Sequence, residues 1–521
     1  MKQATQEMKW TAGNLARLDL ENIERLGEYT RLYFEDRSFT NVEELRYAGR
    51  LARILDSYSV RRGDRVVVML PNSPELTGAF QATWMIGAVI VPVIPQWTAG
   101  EVTNILRGAE PIVALTIPAL AERLSQANAE VQTLKKILVF GPSEVSGAEN
   151  IQEYLQTVAP VETPVDSEPS DLAILLYTSG TTGLPKGVML THENLGAAVE
   201  SAFRQNPDLE RGPMLLPLPM THVYGVLVQN VANRWGFSTV LMRQFEPGRA
   251  LEAIERYKIR YLPVVPTMLM YMLQHPERER RDLSSLVRII SGGAALPEPL
   301  RQKTEAVFRC RIDQGYGLSE SCSVATGYEI DRPYRPGSAG VATPGVEIRI
   351  LDDQGRPVAA RSAGEICLAG ANVTGGYWRD PDATSGLLKD GWLHTGDIGF
   401  LDEDGYLFIT DRKKDLIIKG GENISPREIE EALYLHPAVA EVAVVGFPDP
   451  VYGEDICAVL QLKAGLVITE QDLQLHVAQY VTKFKIPRRM IFQPMLPKNL
   501  SGKILKYKLR AQLLSMLSGS V

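Results

Sequence analysis

The chain has 521 residues, a formal net charge of −7, and ordinary shares of hydrophobic (45%) and charged (22%) residues. This length exceeds the roughly 250–300 residues that one core supports, so at least two domains are expected. The acidic balance argues against a nucleic-acid-binding protein and against a strongly basic membrane-binding face.

Most of the chain alternates apolar runs with helical segments. The beginning is partly amphipathic and helical, with the start of a capped helix at Asn41. A strand, a helix and a strand at 64–70, 75–87 and 88–92 form the βαβ signature of a parallel sheet. Further buried strands are predicted at 137–140, 172–176, 260–265 and 287–291.

From about residue 337 the pattern changes to short strands and glycine-rich turns, which indicates a small β subdomain over about 337–411. Helices at 426–435 and 470–480 and strands at 442–445 and 456–462 are predicted after it. The predicted fold class is therefore α/β. A large N-terminal region (1–411) of several subdomains with mixed or parallel sheets precedes a small α+β C-terminal domain (412–521).

Cysteine usage and the apolar runs bear on location. The four cysteines are scattered without C-x-x-C spacing, which favours a reducing compartment and gives no metal-site signature. The N-terminus shows no signal-peptide pattern, and the most apolar run, residues 84–95, is shorter than the roughly 20 residues of a membrane helix. The sequence therefore predicts a soluble cytoplasmic protein without an integral membrane segment.

A loop rich in glycine and hydroxyl groups follows the strand predicted at 172–176. Glycine lets the backbone approach a ligand, hydroxyls donate to phosphate oxygens, and a lysine adds positive charge. The loop therefore predicts a polyphosphate cradle, with a plain surface loop as the alternative. It lacks the G-x-x-x-x-G-K-[ST] spacing of a Walker A motif, which argues against a P-loop hydrolase. Its residues include Thr178, Ser179, Gly180, Thr181, Thr182, Gly183, Lys186 and Gly187.

Two further signatures follow predicted strands. Residues 291–297 have so little side-chain bulk that a flat ring or an acyl group could lie against their backbone, although a close-packed turn is an equal alternative. Residues 314–320 offer Tyr316 to stack on a base and Glu320 to bind Mg²⁺. That ion prefers one or two carboxylates, with water and phosphate oxygens completing its octahedron.

Two more signatures lie towards the C-terminus. Thr395-Gly-Asp397 is predicted to place its acid after a tight turn, where the carboxylate can accept hydrogen bonds from the hydroxyls of a ribose, with Arg412 beside it. Residues 473–521 contain nine lysines or arginines and no acidic residue. Basic runs are usually solvated. Here a Ser-Gly turn would hold Lys503 outward, which suits an electrostatic clamp on an anionic transition state.

Together these signatures resemble the adenylate-forming superfamily of acyl- and aryl-CoA synthetases, luciferases and peptide-synthetase adenylation domains. The similarity spans roughly residues 30–515 in the family's usual order, and 419–426 is most similar to the acyl-CoA synthetases. The resemblance implies that ATP and a carboxylic acid form an acyl-adenylate with release of pyrophosphate. The thiol of CoA would then displace AMP to leave a thioester. The matching stretches are 178–187, 316–320, 395–397, 411–412 and 501–503.

The resemblance also implies roles for individual residues. The catalytic group would consist of Lys503, which bridges the carboxylate and the α-phosphate, Ser319 at the α-phosphate, and Glu320 at Mg²⁺. The loop from Thr178 to Lys186 would hold the β- and γ-phosphates of ATP.

The same resemblance places the nucleoside. Tyr316 would stack near adenine, and Asp397 and Arg412 would bind the ribose hydroxyls. The other residues expected around the nucleotide are Gly293, Ala294, Asp313, Gln314, Gly315 and Gly317.

The C-terminal domain is expected to be mobile. Lys414 occupies the family's hinge position, two residues after Arg412. The resemblance implies that the domain swings there after adenylation, which removes Lys503 and brings Gly420 and Gly421 to the CoA thiol.

The resemblance implies that the acid binds at the segment that contains His222, Tyr224 and Gly225. Its surroundings are apolar and offer no arginine or lysine for a second acidic group, so a fatty acid is favoured over an aryl or alicyclic acid. Acyl transfer to a carrier-protein thiol is a rival within the family, as is a luciferase-like oxygenation. A non-catalytic nucleotide-binding protein is the rival from another class.

Overall fold

The computed structural model describes residues 13–178, 185–498 and 504–518. The elements as far as residue 205 alternate strands with helices. They are α1 (Arg17–Leu26), β1 (Thr30–Phe34), β2 (Arg37–Thr40), α2 (Asn41–Ser57), β3 (Arg65–Met69), α3 (Pro74–Met85), β4 (Val89–Pro92), α4 (Ala99–Ala109), β5 (Val113–Thr116), α5 (Pro118–Val131), β6 (Lys136–Val139), β7 (Ala148–Asn150), α6 (Gln152–Thr157), β8 (Leu172–Thr178), β9 (Lys186–Thr191) and α7 (His192–Gln205).

The next elements complete the large α/β region. They are β10 (Met214–Leu216), α8 (Val223–Trp235), β11 (Thr239–Leu241), α9 (Pro247–Tyr257), β12 (Tyr261–Val264), α10 (Pro266–Gln274), β13 (Arg288–Ser291), α11 (Glu298–Phe308), β14 (Arg311–Gln314) and β15 (Thr326–Gly327).

Short strands dominate the rest of the chain. Its elements are β16 (Val341–Ala342), β17 (Val346–Leu351), β18 (Gly364–Gly370), α12 (Pro381–Leu387), β19 (Leu388–Lys389), β20 (Trp392–Leu401), β21 (Leu407–Arg412), β22 (Ile417–Lys419), β23 (Glu422–Ile424), α13 (Pro426–Tyr434), β24 (Val439–Asp449), β25 (Gly453–Leu462), α14 (Glu470–Val477), β26 (Arg489–Phe492) and α15 (Lys506–Ser518).

Two seven-stranded sheets form the large region. One has the order β7-β6-β5-β3-β4-β8-β9 and the other β14-β13-β12-β10-β11-β1-β2. Each sheet is parallel except for its last pair, β8–β9 and β1–β2, which are antiparallel. Side chains from both sheets and from α3, α7 and α8 meet in one hydrophobic core. The α/β fold class and the βαβ unit predicted over 64–92 are thus confirmed.

The strands β1 and β2 were missed by the prediction for the beginning of the chain. Leu32 of β1 pairs with Thr239 of β11, a partner about two hundred residues away in sequence, so the local pattern holds little trace of this strand. The capped helix start at Asn41 is confirmed. The Thr40 hydroxyl accepts a hydrogen bond from the Glu43 N–H, and the Glu43 carboxylate accepts one from the Thr40 N–H.

Two smaller sheets follow. The first has the order β17-β18-β20-β19, with β21 paired to β20. The second has the order β23-β22-β25-β24, with β26 paired to β25. Residues 413–416 join β21 of the first sheet to β22 of the second. Within the described residues, no helix combines the length and the apolar composition that crossing a bilayer requires.

A buried histidine anchors the beginning of the described chain. His192, the first residue of α7, accepts a hydrogen bond at Nδ1 from the Leu15 N–H (3.1 Å) and packs edge-to-face on Trp84. Its Nε2 is buried without a hydrogen-bond partner. Burial, above all, lowers the pKa of His192 to about 4 from its ordinary 6.5.

This histidine should make the fold sensitive to acid. Between pH 6.5 and 4 the unfolded chain binds a proton at His192 that the folded chain excludes. The contribution of neutral His192 to the free energy of unfolding is therefore fully present above pH 6.5. It is lost as the pH falls towards 4, by up to about 3 kcal/mol. We expect His192→Asn, whose amide oxygen can still accept from Leu15, to flatten the dependence of the melting temperature on pH. Parallel profiles for the variant and the wild type would contradict this explanation.

Candidate functional site

The predicted phosphate loop connects two antiparallel strands. Thr178 at the end of β8 lies opposite Lys186 at the start of β9, so the two ends of the loop are held side by side. Ser179, Gly180, Thr181, Thr182 and Gly183 lie outside the described residues. The Lys186 ammonium stands 5.2 Å from the centre of the Tyr377 ring, within the range of a cation–π interaction.

Tyr377 links this lysine to the predicted metal ligand. Its hydroxyl donates a hydrogen bond to Glu320 Oε1 (2.8 Å), and the Thr374 N–H donates to the Glu320 carbonyl oxygen (2.8 Å). Burial and the neighbouring carboxylate raise the pKa of Tyr377 above its ordinary value, so the phenol stays protonated and remains a donor. Tyr377 was absent from the predicted site. Its position directly after Gly375-Gly376, in a Gly-Gly-Tyr-Trp stretch, was the available signal.

The surroundings of Glu320 fit a magnesium ion that arrives with its nucleotide. No group of three or more histidine, cysteine, aspartate or glutamate side chains suited to a metal occurs in 13–178, 185–498 or 504–518. A single carboxylate suits Mg²⁺ when phosphate oxygens and water supply the other ligands. Ser319 lies beside Glu320 in the same short 3₁₀ turn, which spans Ser319–Ser321.

The predicted ribose-binding acid is held from two sides. The Tyr316 hydroxyl donates to Asp397 Oδ2 (2.6 Å), and Arg412 Nε lies 2.9 Å from Asp397 Oδ1. Asp397 is buried, and it borders a cavity of about 340 Å³ with Thr395, Gly396, Arg412, Lys413 and Lys414. A carboxylate has about four acceptor positions, so two remain for a ligand.

The tight turn predicted before Asp397 is wrong, because these residues lie inside strand β20. The pairing with β18 passes from His394–Cys367 directly to Ile398–Glu365, so the three residues Thr395–Asp397 oppose Ile366 alone. Gly396 adopts a φ of +69° in this bulge. Bulges re-aim side chains near active sites. This bulge directs Asp397 to Arg412 and Tyr316.

The small-residue segments stand at the carboxyl ends of parallel strands, where open α/β sheets bind ligands. Ser291 at the end of β13 lies beside Gln314 at the end of β14, and the Gly315 N–H donates to the Ser291 carbonyl (2.9 Å). Gly293 adopts a φ of +75° and precedes Ala294. A Cβ on Gly317 would collide with the Ser323 backbone.

Two side chains predicted to lie around the nucleotide, Asp313 and Gln314, instead form contacts within the protein. Asp313 is fully buried between Arg288 (2.6 Å) and Arg311 (2.8 Å), and these ion pairs occupy both of its oxygens. Gln314 Oε1 accepts a hydrogen bond from the Leu296 N–H (2.7 Å), which ties the loop after β13 to β14. These side chains therefore fix the backbone at the carboxyl ends of β13 and β14.

The predicted acyl-binding residues meet the same small-residue loop. His222 caps α8 and accepts a hydrogen bond at Nδ1 from the Tyr224 N–H (3.2 Å). The Tyr224 hydroxyl donates to the Ile290 carbonyl (3.2 Å), and its ring lies about 3.1 Å from where a Cβ on Gly292 would stand. A Cβ on Gly225 would collide with the Pro219 carbonyl oxygen, so the chain needs glycine there.

The C-terminal residues form a separate group. Gly420 and Gly421 have φ values of +59° and +86° in a two-residue hairpin between β22 and β23, a turn that needs left-handed residues. Within the described residues, no hydrogen bond or ion pair joins them to Glu320 or Asp397. Lys503 lies outside the described residues, but Lys498 and Ile504 on either side of its segment pair through an antiparallel bridge. Lys414 is exposed beside the cavity.

Comparison with known families gives two matches that together cover most of the chain. Residues 20–378 match the model of the AMP-binding enzyme family. Residues 428–503 match the model of the AMP-binding enzyme C-terminal domain.

Two curated relatives align over nearly the whole chain. A long-chain-fatty-acid–CoA ligase of Bacillus subtilis is 35% identical over 518 residues, which covers 94% of this chain and 92% of the relative. The 4-coumarate–CoA ligase CCL1 of Humulus lupulus is 34% identical over 478 residues, which covers 89% of this chain and 87% of the relative.

Among solved structures, MatB from Rhodopseudomonas palustris is informative because two of its states can be compared. The ATP-bound form superposes with a TM-score of 0.88 and the apo form with 0.78. Each is 30% identical and covers 96% of this chain and 99% of its own. The arrangement of this chain is therefore nearer to the ATP-bound state of that protein.

Replacing Tyr377 tests its link to Glu320. Tyr377→Phe keeps the ring beside Lys186 but removes the hydrogen bond to the carboxylate, and such bonds to charged groups contribute about 1.5 kcal/mol or more. We expect the affinity for ATP with Mg²⁺ to fall roughly tenfold and the affinity for metal-free ATP to change much less, as measured by calorimetry.

Tyr334→Phe is the matched control, since the Tyr334 hydroxyl donates to Glu298 (2.9 Å) away from this site. It should bind both forms of ATP as the wild type does. Equal losses for the two forms of ATP in Tyr377→Phe would contradict a role at the metal ligand.

Proposed function

Since the chain belongs to the family of AMP-binding enzymes, we propose that it is an ATP-dependent carboxylic acid–CoA ligase. The enzyme converts an acid and ATP to an acyl-adenylate and pyrophosphate. It then transfers the acyl group to the sulfur of CoA, which releases AMP and a proton. The observation that carries this proposal is Asp397, held between Tyr316 and Arg412 at the edge of a cavity, ready to accept hydrogen bonds from a ribose.

The chemistry follows from the poor reactivity of a carboxylate. Its oxygen attacks the α-phosphorus of ATP, the bond to the β-phosphate breaks, and pyrophosphate leaves. The acyl carbon then carries AMP, a good leaving group, so the CoA thiolate can displace it. Both steps bring negative groups together. The enzyme must therefore supply fixed positive charge where charge develops.

Residues at three places supply these contacts. Lys186 and the hydroxyl-rich loop bind the β- and γ-phosphates, and Ser319 contacts the α-phosphate. Glu320 would hold Mg²⁺, which when bound neutralises phosphate charge. Lys503, from the C-terminal domain, bridges the attacking carboxylate and the α-phosphate.

A fatty acid is the proposed substrate. The loop at Gly292 and Gly293 meets apolar and aromatic side chains, with Val265 about 3.5 Å from where a Cβ on Gly293 would stand. These surroundings suit an apolar tail better than a second charged group. The relatives at 35% and 34% identity are named for a long-chain fatty acid and for 4-coumarate, so an aryl acid is the second candidate.

CoA is the proposed acceptor of the acyl group. Ligases that use a carrier-protein thiol usually have an inserted segment before the C-terminal domain. Here the strands β17 to β21 follow one another from 346 to 412 with only the short helix α12 and connecting turns among them. All four cysteines are free thiols, which fits the cytoplasm as the proposed location.

A panel of acids tests the function directly. Pyrophosphate release should depend on a fatty acid, and addition of CoA should convert the product to a thioester detectable by mass spectrometry. Aryl and alicyclic acids belong in the same panel, with and without CoA. Release with aryl acids alone would favour the second candidate. No release with any acid would favour a non-catalytic nucleotide-binding protein.

Lys503→Ala separates the two half-reactions. Losing a preorganised charge at the reacting centre should slow adenylation about 10²- to 10³-fold or more. Thioester formation from supplied acyl-adenylate should stay near the wild-type rate, because Lys503 has left the site by then. Lys508→Ala removes an exposed lysine of α15 and should leave both steps unchanged. Equal loss of both steps in Lys503→Ala would refute the assigned role.

A further inference from the structure

The C-terminal domain touches the large region at a point far from the linker in sequence. The ammonium of Lys498 lies 5.7 Å from the centre of the Tyr271 ring. Tyr271 belongs to α10 of the large region, and Lys498 precedes the segment that contains Lys503. The distance is within the roughly 6 Å at which a cation is attracted to an aromatic face.

Lys498 is held firmly within its own domain. It forms an ion pair with Glu441 of β24, and only 15% of the Lys498 side chain and 5% of the Glu441 side chain are exposed. The bridge to Ile504 and the hydrogen bond from the Leu505 N–H to the Pro497 carbonyl (2.8 Å) close the segment behind it. Lys498 and Ile504, the described residues on either side of 499–503, are therefore held together within the C-terminal domain.

Tyr271 is well placed to receive this lysine. Its helix begins at Pro266, directly after Val265, whose side chain stands against Gly293. The same helix therefore runs from the proposed acyl site to the C-terminal domain. Tyr271 is 43% exposed, so its ring is accessible to a side chain of the C-terminal domain.

A second pair of residues across this interface opposes the contact. Lys303 of α11 and Lys463 of the C-terminal domain are close enough that burial, and then the charge of Lys303, lower the pKa of Lys463. Like charges at one point and a weak attraction at another make an interface that can separate. Such an interface suits a domain that must leave after adenylation.

We propose that Tyr271 is a positioning residue for adenylation. Its ring docks Lys498 and so holds the C-terminal domain in the orientation that keeps Lys503 at the reacting carboxylate. The nearer match to the ATP-bound form of MatB than to its apo form supports this assignment of the orientation. The inference rests on the proposed function, in which Lys503 assists adenylation only.

Substitutions of Tyr271 test the contact through the two half-reactions. Tyr271→Phe keeps the aromatic face and should adenylate at the wild-type rate. Tyr271→Ala should adenylate about two- to fivefold more slowly, the range expected for an exposed cation–π contact. Tyr271→Lys, which repels Lys498, should lose about tenfold or more. Thioester formation from supplied acyl-adenylate should be unchanged in all three variants, which a general loss of structure would not produce.

Tyr154→Lys is the matched control, because Tyr154 is similarly exposed (40%) on α6. It should leave adenylation unchanged. Wild-type adenylation by Tyr271→Lys, or equal losses in both half-reactions, would overturn the proposal. So would a Tyr271→Phe variant as slow as Tyr271→Ala.

A distance measurement keeps this test separate from the proposed function. Fluorophores at Gln302→Cys on α11 and Lys508→Cys on α15, in a Cys310→Ser background, report the separation of the two domains by energy transfer. With ATP bound, Tyr271→Lys should shift the population away from the wild-type distance, and Tyr154→Lys should not. This result is informative even if no acid is activated. An unchanged distance in Tyr271→Lys would overturn the docking role.

Discussion

The ion pair between Asp397 and Arg412 joins the parts of the molecule that surround the cavity. Asp397 lies in β20, Arg412 ends β21 immediately before the linker, and Tyr316 reaches the same carboxylate from the loop after β14. A buried carboxylate is costly without partners, so the positions of these three elements depend on one another. The linker to the C-terminal domain therefore starts from a residue that the nucleotide site itself holds in place.

A different constraint governs the phosphate end of the site. A direct ion pair between Lys186 and Glu320 would use up the cation needed for phosphate and the anion needed for the metal. Tyr377 contacts both groups instead: its ring attracts the lysine, and its hydroxyl donates a hydrogen bond to the glutamate. Among the described residues, Lys186 and Glu320 form no ion pair with each other, and both contact Tyr377. One uncharged side chain thus positions two opposite charges and leaves both available.

The sequence predicted the elements whose conformation depends on residues close to one another in the chain. The hydrophobic runs of β3 and β4, the capped start of α2 and the glycine-containing turn after β13 all depend on residues near in sequence. Features set by distant partners were missed. The strand β1 pairs with β11, the bulge at Thr395–Asp397 exists only relative to β18, and Asp313 is occupied by Arg288. Tyr377 and Tyr271 were missed because their charged partners are 57 and more than 200 residues away.

The C-terminal domain contacts the large region next to the linker and also at Tyr271, and the strengths of these two contacts fit the proposed change of orientation. Next to the linker, Asp411 accepts hydrogen bonds from the Ser425 hydroxyl (2.7 Å) and the Arg427 N–H (3.2 Å). These groups are close in sequence to Lys414, the predicted hinge, so a rotation there would move them little. Lys498 and Tyr271 are far from Lys414 in sequence, and the proposed rotation would separate them. An exposed cation–π contact contributes only about 0.5–1 kcal/mol, and the like charges of Lys303 and Lys463 oppose it.

A stronger contact would slow the rotation. Each additional 1.4 kcal/mol of contact energy would slow separation of the domains about tenfold if that energy were absent from the transition state for separation. A weak distal contact therefore lets the bound ligand decide which orientation is populated.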